Sequence, residues 1–261
     1  MNYQKIIDIA ITAGEAILEI YNQDFVHYQK ADSSPLTDAD LAAHNIIVAH
    51  LTQLTPEMPI LSEESASIDW EVRRQWDNYW LVDPLDGTKE FINKNGEFTV
   101  NIAQIKNGQP VWGVVYVPTT GIIYSGGPEL GHAIKITADH NLVTLTVIPV
   151  KATNENWTIV GSRSHQSEEF KAFIEKFSAP DIRTMGSSLK ICMIAEGSAD
   201  IYPRLGLTSE WDTAAAHAVL LGAGGIVLNA EEKIPLTYNQ KESLLNPFFI
   251  AANGSSLIWL K

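Results

Sequence analysis

The strongest constraint on the fold of this chain is the stretch Trp80–Phe91, where the pattern of a buried strand gives way to acidic turn chemistry. The apolar run from Tyr79 to Val82 is typical of a buried strand. We expect the strand to stop at Asp83-Pro84, because proline has no backbone N–H and interrupts regular strand pairing. The sequence therefore predicts that polar side chains follow a buried strand at one edge of a sheet.

Two carboxylates, Asp83 and Asp86, leave this strand end within one turn. Gly87 permits a tight backbone, and Thr88 can begin a short helix whose free N–H groups favour an anion. Carboxylates beside an anion site repel the anion unless a cation lies between them, so the local chemistry indicates a divalent metal that holds a phosphate. Asp-Pro and Asp-Gly are also ordinary turn dipeptides, and a purely structural turn is the alternative interpretation of this segment taken alone.

The composition excludes several classes of protein. With 261 residues, 45% of them hydrophobic, the chain can bury a sizeable core in one large domain or two small ones. The formal net charge of −13 argues against binding to a nucleic-acid polymer, which needs a basic face. No apolar run approaches the roughly 20 residues of a membrane span, and no signal peptide is visible. We therefore expect a cytoplasmic protein without a transmembrane segment, and peripheral association with the inner face of the cell membrane is left open. The single cysteine, Cys192, lies in an apolar helical pattern and is expected to be a buried, inert thiol.

The first part of the chain predicts two helices. Apolar residues recur at spacings of three and four from Tyr3 to Ile20, which is typical of an amphipathic helix that ends near Tyr21-Asn22. A polar loop, Lys30–Pro35, precedes a second helix with Thr37 as its N-cap. Acids in the first turn of that helix complement the helix dipole, which is sufficient to explain Asp40; the local pattern leaves a catalytic role for it open.

A short strand candidate, Met58–Leu61, ends in the paired acids Glu63 and Glu64. Paired acids after a strand commonly form no more than a solvated loop. If this strand lies parallel to the strand from Tyr79 to Val82 in one sheet, however, its carboxylates converge with that of Asp83 at one edge.

The pattern of the chain changes near residue 150. From Phe98 to Ile148, alternating segments and the tight-hairpin signal Asn107-Gly108 predict an antiparallel meander. From Trp157 to Ala251, short strands alternate with helices, which is typical of an α/β layer. We therefore predict an N-terminal α+β domain over 1–150, which carries most of the candidate metal ligands, and a C-terminal α/β domain over 151–261.

Two predicted helices in the second half begin with polar residues. Ser187 or Ser188 is the N-cap candidate for a helix over Leu189–Glu196, and Asp212 occupies the expected N-cap position of a long apolar helix. Capping alone explains these residues. Since a helix N-terminus is also a place where phosphate binds, capping and ligand binding can coexist.

Taken together and in this order, the acidic segments resemble the inositol monophosphatase superfamily over essentially the whole chain. The family pattern is an acid pair after an early strand, then D-P-x-D-G-T, then W-D towards the end; here these are Ser62-Glu63-Glu64, Asp83–Thr88 and Trp211-Asp212-Thr213. Further stretches resemble the branch of bacterial 3'(2'),5'-bisphosphate nucleotidases, namely Ser34–Thr37, Asp83–Asn101, Ser162–His165, Gly186–Lys190, Tyr202–Arg204 and Trp211–Val219. Lys89 favours this branch, because inositol monophosphatases commonly have a small polar residue at its position.

The resemblance implies an α/β (α+β layered) fold, an αβαβα sandwich with an antiparallel N-terminal sheet and a mixed C-terminal α/β layer. It implies two or three Mg²⁺ ions held by Glu63, Asp83, the Leu85 carbonyl, Asp86 and Asp212. Asp40 and Thr88 would orient or activate the attacking water, and Gly87 and Thr88 would offer backbone donors to the scissile phosphate. Mg²⁺ prefers oxygen ligands shared between carboxylates and a substrate phosphate, and such ions can activate water and stabilise the leaving oxygen. Direct attack by a metal-activated water therefore needs no covalent nucleophile.

The implied activity is removal of the 3'-phosphate of adenosine 3',5'-bisphosphate to give AMP and phosphate, with 3'-phosphoadenylyl sulfate as a further candidate substrate. This step would clear a by-product of sulfate assimilation. The implied substrate contacts are Glu63, Leu85, Asp86, Gly87, Thr88, Ser187, Lys190, Arg204 and Asp212. The strongest cation candidates for the second phosphate are Lys190 and Arg204, followed by Arg163 and His165, and a solvated surface charge is the alternative for each.

Two other functions remain open at this point. An inositol monophosphatase, or another small sugar phosphatase, would use the same scaffold and the same metal ligands. A non-catalytic protein that binds nucleotide or metal would use the fold without turnover, although such a protein has no need for Thr88 beside a water-positioning Asp40. The sequence leaves the oligomeric state unknown.

Overall fold

The computed structural model describes residues 1–23, 27–29, 35–147, 156–162 and 168–254. Within these ranges the chain forms seven α-helices, α1 to α7 in chain order: Tyr3–Tyr21, Asp38–Leu54, Trp70–Arg73, Thr88–Ile92, Glu168–Ile174, Leu189–Ala195 and Trp211–Gly222. One turn of 3₁₀-helix covers Glu63–Ser65. The same ranges contain fourteen strands, β1 to β14: His27–Gln29, Pro35–Thr37, Ile60–Ser62, Asn78–Asp86, Thr99–Lys106, Gln109–Val117, Ile122–Gly127, His132–Ile136, Leu142–Thr144, Thr158–Ser162, Asp181–Met185, Ile201–Arg204, Ile226–Asn229 and Phe249–Ala252.

Two large sheets alternate with helices to form five layers. The seven-stranded sheet has the order β3-β4-β5-β6-β7-β8-β9 and is antiparallel except for the parallel pair β3-β4. The five-stranded sheet has the order β11-β10-β12-β14-β13, parallel among β10, β11 and β12 and antiparallel around β14. Helices α1 and α2 pack on the outer face of the first sheet, α6 and α7 lie between the sheets, and α5 packs on the outer face of the second sheet. The predicted αβαβα sandwich is therefore confirmed.

Strand β4 shows how the sequence builds two cores at once. Trp80 and Val82 belong to the outer core with α1 and α2, whereas Tyr79 and Leu81 belong to the central core with α6 and α7. Successive side chains of a strand point to opposite faces of the sheet. Because both faces of β4 are buried, its first half is a continuous apolar run rather than an alternating one.

The prediction that this strand stops at Asp83-Pro84 is wrong, because β4 continues to Asp86. Asp83 pairs with Asn101 and Asp86 with Thr99, so the strand carries one extra residue here, which is a β-bulge. Proline is tolerated at a bulge because the ladder of hydrogen bonds is already interrupted there. Residues three apart on a regular strand point to opposite faces, and the extra residue brings both aspartates onto the same face of the sheet.

Several other elements follow the predictions with shifted ends. The helix predicted over Glu168–Phe177 ends at Ile174, and the strand predicted from Leu142 ends at Thr144, with the predicted end at Ile148 outside the described residues. Of the polar loop before α2, all residues before Pro35 lie outside the described ranges. The predicted boundary near residue 150 also falls outside them, and the division into two domains remains a prediction.

No helix in the described part of the chain combines the length and the apolar character that crossing a membrane requires. Cys192 is a buried free cysteine, and burial raises the pKa of its thiol well above the usual range. A buried neutral thiol is a poor nucleophile, as the sequence predicts.

Candidate active site

Two of the predicted metal ligands lie where β3 ends beside its parallel neighbour β4. Strands β3 and β4 are parallel, with Ser62 opposite Val82. Glu63 and Asp83 are therefore the next residues at equivalent positions on the two strands. The sequence predicts that the acids converge if the two strands are parallel neighbours in one sheet, and they are. The bulge then turns Asp86 to the same face as Asp83.

The three aspartates among the predicted metal ligands share one arrangement, in which a backbone N–H holds one carboxylate oxygen. The pairs are Leu85 N–H to Asp83 Oδ1 at 3.1 Å, Ser188 N–H to Asp86 Oδ2 at 2.5 Å, and Ser209 N–H to Asp212 Oδ2 at 2.9 Å. In the described part of the chain, the second oxygen of each of these carboxylates accepts no hydrogen bond. Each aspartate is therefore oriented through one oxygen and keeps the other for a further ligand.

Burial and mutual repulsion disfavour the charged forms of these acids. Burial raises the pKa of Asp83 well above its usual range, and the charges of Glu63, Asp86, Asp212 and Asp40 raise it further. Burial also raises the pKa of Asp212 to about 8, with a further contribution from the charge of Asp86. Buried like charges are unfavourable unless a cation compensates them, so the electrostatics of this cluster favour a bound cation.

The donor set fits Mg²⁺, which prefers hard oxygen ligands. Carboxylates and one backbone carbonyl are available, and the Leu85 carbonyl lies 3.4 Å from Thr88 Oγ1 at the same turn. Among the described residues, no three Asp, Glu, His or Cys side chains are arranged as a ready-made metal site. This does not conflict with Mg²⁺, because that ion usually takes only one or two carboxylates and completes its shell with water and substrate phosphate.

Asp40 connects the cap of α2 to Thr88. The predicted N-cap is confirmed, since Thr37 Oγ1 accepts from the Ala39 N–H at 3.2 Å. The backbone N–H and the hydroxyl of Thr37 both donate to Asp40 Oδ2 at 2.7 Å, while Asp40 Oδ1 accepts from the Thr88 hydroxyl at 3.2 Å. The capping interactions and the contact with Thr88 therefore use different oxygens of one carboxylate.

Gly87 makes the turn between the last metal-ligand candidate of β4 and helix α4. Its φ is 95°, in the left-handed region, and an added Cβ would lie 3.1 Å from the carbonyl oxygen of Glu97. Only glycine adopts this conformation without strain, and α4 then begins at Thr88 as predicted. The turn thereby fixes the spacing between Asp86 and Thr88.

Of the two N-caps predicted in the second half, Ser188 takes the predicted position without a capping hydrogen bond, and Asp212 does not. Helix α7 begins at Trp211 with Glu210 at its N-cap, so Asp212 lies in the first turn instead. Ser188 is the N-cap residue of α6, but its hydroxyl donates to the carbonyl oxygen of Asp212 at 2.6 Å and caps nothing. The Ser188 hydroxyl thus contacts α7 through the Asp212 carbonyl, while the Asp212 carboxylate accepts from the Ser209 N–H just before its own helix.

Lys190 and Arg204 lie close to each other beside the acids. Lys190 Nζ donates to the carbonyl oxygen of Ser187 at 2.6 Å, and Arg204 Nη2 donates to that of Leu207 at 2.7 Å. Burial lowers the pKa of Lys190, the charge of Asp86 opposes this shift, and the charge of Arg204 adds to it. Neither side chain forms an ion pair with a carboxylate among the described residues. Two adjacent cations without such partners favour the binding of an anion.

Acidic, basic and hydroxyl groups from both halves of the chain line a single cleft. They include Asp86, Gly87, Lys89, Glu90, Ser187, Lys190, Arg204 and Asp212. The Ser187 hydroxyl is buried without a hydrogen-bond partner in the described part of the chain. Arg163 and His165, the secondary cation candidates, lie outside the described residues. The structure thus brings together predicted site residues that are more than a hundred positions apart in the chain.

Sequence reasoning did not identify Asn101 as part of this site. Its Nδ2 donates to Ser188 Oγ at 2.9 Å and to Asp86 Oδ2 at 3.4 Å. An amide within an otherwise largely apolar strand was a signal in the sequence. Its meaning depends on the pairing of Asn101 with Asp83, which the sequence does not provide.

The five-layer fold and the acidic cluster define a member of the inositol monophosphatase family. The family model matches residues 3–256, and the chain belongs to this family.

Within the family, the chain is similar to the 3'(2'),5'-bisphosphate nucleotidase CysQ of Escherichia coli (strain K12). The two are 46% identical over 249 residues, which is 94% of this chain and 97% of the relative. Among solved structures, CysQ from Bacteroides thetaiotaomicron superposes with a TM-score of 0.82 at 44% identity, covering 96% of each chain. The IMPase of Thermotoga maritima has a TM-score of 0.71 at 21% identity, covers 97% of this chain and 92% of its own, and supports the fold alone.

Proposed function

We propose that this chain is a Mg²⁺-dependent phosphomonoesterase that removes the 3'-phosphate of adenosine 3',5'-bisphosphate and releases AMP and phosphate. The observation that carries the proposal is that buried carboxylates and two adjacent cations, Lys190 and Arg204, share one cleft. A substrate with two phosphates can present one to the acids and their metal and the other to the cations. The similarity to nucleotidases named CysQ supports a nucleotide substrate.

The residues that would hold Mg²⁺ are Glu63, Asp83, the Leu85 carbonyl, Asp86 and Asp212, and the resemblance implies two or three ions. When bound, Mg²⁺ supplies positive charge for the phosphoryl oxygens and makes a water more acidic. The backbone donors described above fix one oxygen of each aspartate, so the carboxylates need little reorganisation when the cation binds.

Asp40 and Thr88 would orient the attacking water. The Thr88 hydroxyl donates its hydrogen to Asp40 Oδ1 at 3.2 Å. The lone pairs of Thr88 Oγ1 then remain available to accept a hydrogen from a water and to hold its oxygen towards the phosphorus. Because Asp40 is fixed by Thr37, the orientation of the Thr88 hydroxyl is set before substrate binds.

Selection between substrates would rest on the second phosphate. The guanidinium of Arg204 suits phosphate through its forked donors, and Lys190 acts as a point charge. Inositol 1-phosphate has no second phosphate and would leave the two cations without an anionic partner. We further propose that the protein acts on this small-molecule nucleotide in the cytoplasm and that 3'-phosphoadenylyl sulfate is a further substrate.

Phosphate release from adenosine 3',5'-bisphosphate and from inositol 1-phosphate, each with Mg²⁺ and with EDTA, tests the proposal. We expect Mg²⁺-dependent release with a strong preference for the nucleotide. A preference for inositol 1-phosphate would retain the metal chemistry and overturn the substrate. Metal binding without turnover of either compound, or of 3'-phosphoadenylyl sulfate, would favour a non-catalytic binding protein.

Variants at the two cations test the second-phosphate site. Loss of a charge-assisted contact is worth about 1.5–3 kcal/mol, so Lys190→Ala and Arg204→Lys should lower kcat/KM for the bisphosphate by roughly 10- to 100-fold. Their kcat/KM for adenosine 3'-monophosphate should change much less. Lys171→Ala, at an exposed lysine that pairs with Glu168 on α5, is the matched control and should affect neither substrate. An equal loss on both substrates would argue against the assignment.

A further inference from the structure

We propose that Asn101 is a positioning residue that holds Asp86 and the first turns of α6 and α7 in the arrangement that binds the divalent cation. The inference rests on the proposed function only in assuming that a divalent cation binds at Asp86 and Asp212. It concerns an uncharged residue that acts through its neighbours.

Asn101 lies where three elements meet the acidic cluster. It is 1% exposed on β5 and pairs with Asp83 of β4. Its amide donates to Ser188 Oγ at 2.9 Å and to Asp86 Oδ2 at 3.4 Å. Ser188 extends the chain of contacts, because its N–H donates to Asp86 Oδ2 at 2.5 Å and its hydroxyl to the carbonyl oxygen of Asp212 at 2.6 Å. One amide therefore connects two metal-ligand candidates from opposite halves of the chain.

The orientation of this amide follows from its partners. Ser188 has one hydroxyl hydrogen and donates it to Asp212, so its oxygen presents an acceptor to Asn101. The carboxylate of Asp86 is likewise an acceptor. The NH₂ group must therefore face both partners, and the opposite orientation would place two acceptors against each other.

The remaining oxygen of Asn101 supports a functional role over a packing role. With the NH₂ group turned to Ser188 and Asp86, Oδ1 is buried without a hydrogen-bond partner in the described part of the chain. A buried polar atom without a partner is unfavourable, and such atoms in folded proteins call for an explanation. Holding Asp86 by a neutral donor provides one, since Asp86 then keeps Oδ1 for the cation.

Mg²⁺ binding in the absence of substrate, followed by isothermal titration calorimetry, tests the inference. Asn101→Leu is nearly isosteric and removes both donors. Loss of a partner that orients a metal ligand typically weakens metal binding by 10- to 100-fold, and we expect a decrease of about this size. Gln104→Leu is the matched control: it removes a buried amide from the same strand, where Gln104 contacts Tyr3 at 2.9 Å and Asn78 at 2.8 Å, and it should leave Mg²⁺ affinity unchanged.

Ser188→Ala tests the same chain of contacts if Asn101→Leu does not fold. It removes the hydroxyl that connects Asn101 to Asp212 and should also weaken Mg²⁺ binding. Where both single variants fold, their effects on affinity should be clearly less than additive in the double variant, because both break one connected network. A folded Asn101→Leu protein, or a folded Ser188→Ala protein in its place, with wild-type Mg²⁺ affinity would overturn this inference alone. Absence of Mg²⁺ binding by the wild-type protein would overturn the metal assignment of the proposed function as well.

Discussion

Asp40→Asn separates the two tasks that one carboxylate performs in this structure. Asp40 Oδ2 accepts the two donors of Thr37 that cap α2, and Oδ1 accepts the hydroxyl of Thr88. In the variant, the amide oxygen can still face the two Thr37 donors. The NH₂ group then faces Thr88, whose hydroxyl hydrogen must turn away, and the Leu85 carbonyl at 3.4 Å is its other acceptor.

The expected cost in stability is small. The capping hydrogen bonds survive, and the main loss is the favourable interaction of a negative charge with the N-terminus of α2, about 0.3–1 kcal/mol. For a chain of this size, 1 kcal/mol corresponds to roughly 2–4 °C in melting temperature. We therefore expect the melting temperature of Asp40→Asn to fall by no more than a few degrees.

The expected cost in activity is much larger. If Asp40 and Thr88 orient the attacking water, the new NH₂ group donates to Thr88 Oγ1 and occupies an acceptor site that the water needs, while the Thr88 hydrogen turns to the Leu85 carbonyl. Contributions of positioned groups that handle the proton of a nucleophile are typically 10²–10⁴-fold, so kcat should fall by about that factor. This corresponds to about 3–5 kcal/mol of transition-state stabilisation, several times the expected loss of folding stability.

The assay is initial-rate phosphate release at saturating Mg²⁺ and adenosine 3',5'-bisphosphate, together with thermal unfolding of the same samples. Thr37→Ala is the matched control, because it removes the side-chain cap at a cost of about 1 kcal/mol, while the backbone N–H at position 37 still holds Asp40 Oδ2 and leaves the contact between Asp40 and Thr88 in place. It should match or exceed Asp40→Asn in its loss of stability and retain activity within about tenfold of wild type. Thr88→Ser keeps the hydroxyl and should retain activity, whereas Thr88→Val should resemble Asp40→Asn.

Activity of Asp40→Asn near the wild-type level would refute this reasoning and reduce Asp40 to a helix cap. Equal losses in Asp40→Asn and Thr37→Ala would also refute it, because the loss would then follow the cap and not the hydroxyl of Thr88.

Other buried groups give further expected outcomes. Burial and repulsion raise the pKa of Asp212 to about 8, so in EDTA the wild-type protein should lose stability as pH rises from about 4 to about 8. In urea unfolding, Asp212→Asn should weaken this pH dependence of stability, and an unchanged dependence would contradict the electrostatic argument. The same variant should lower phosphate release by about 10²-fold or more. Burial lowers the pKa of His217, whose Nδ1 lies 2.9 Å from the Tyr238 hydroxyl, to about 3. Between pH 7 and pH 4 the His217 imidazole therefore binds a proton in the unfolded chain but not in the folded chain, which lowers the free energy of unfolding by roughly 3 kcal/mol over this range. The difference in free energy of unfolding between wild type and His217→Gln should change with pH by the same amount. An added Cβ at Gly113 would lie 2.4 Å from the Ala215 carbonyl oxygen, so Gly113→Ala should cost about 1–3 kcal/mol or more in chemical unfolding, and a neutral effect would contradict the close packing of α7.

Local sequence rules were sufficient where one element determines its own form. The spacing of apolar residues predicted the helix Tyr3–Tyr21, and Thr37 followed by acids predicted the start of the next helix. The dipeptide Asn107-Gly108 predicted a tight hairpin, and both residues have positive φ in the structure. In each case the hydrogen bonds and the buried face are set by residues close together in the chain.

The same rules failed where a partner element determines the outcome. By its local pattern, Pro84 predicts the end of a strand, and only the pairing of β4 with β5 makes this position a bulge. Ser188 is a cap candidate by its local pattern, and only the contact between α6 and α7 turns its hydroxyl to the Asp212 carbonyl. The identity of the acids could be predicted from the sequence, whereas the donors that orient them could not.

The placement of Asp212 shows why the last ligand candidate is the hardest to derive from sequence. It depends on α7 lying against the backbone of the first sheet, where an added Cβ at Gly113 would lie 2.4 Å from the helix and one at Gly222 would lie 2.8 Å from Gly127. Glycines at these contacts allow α7 to approach the sheet closely, but no local pattern predicts which helix will fill the space that they leave. Close packing of this kind is stiff, so it can hold Asp212 near the other acids against their repulsion until a cation binds. The glycines on the sheet are therefore as much a part of the candidate metal site as the residues next to its acids.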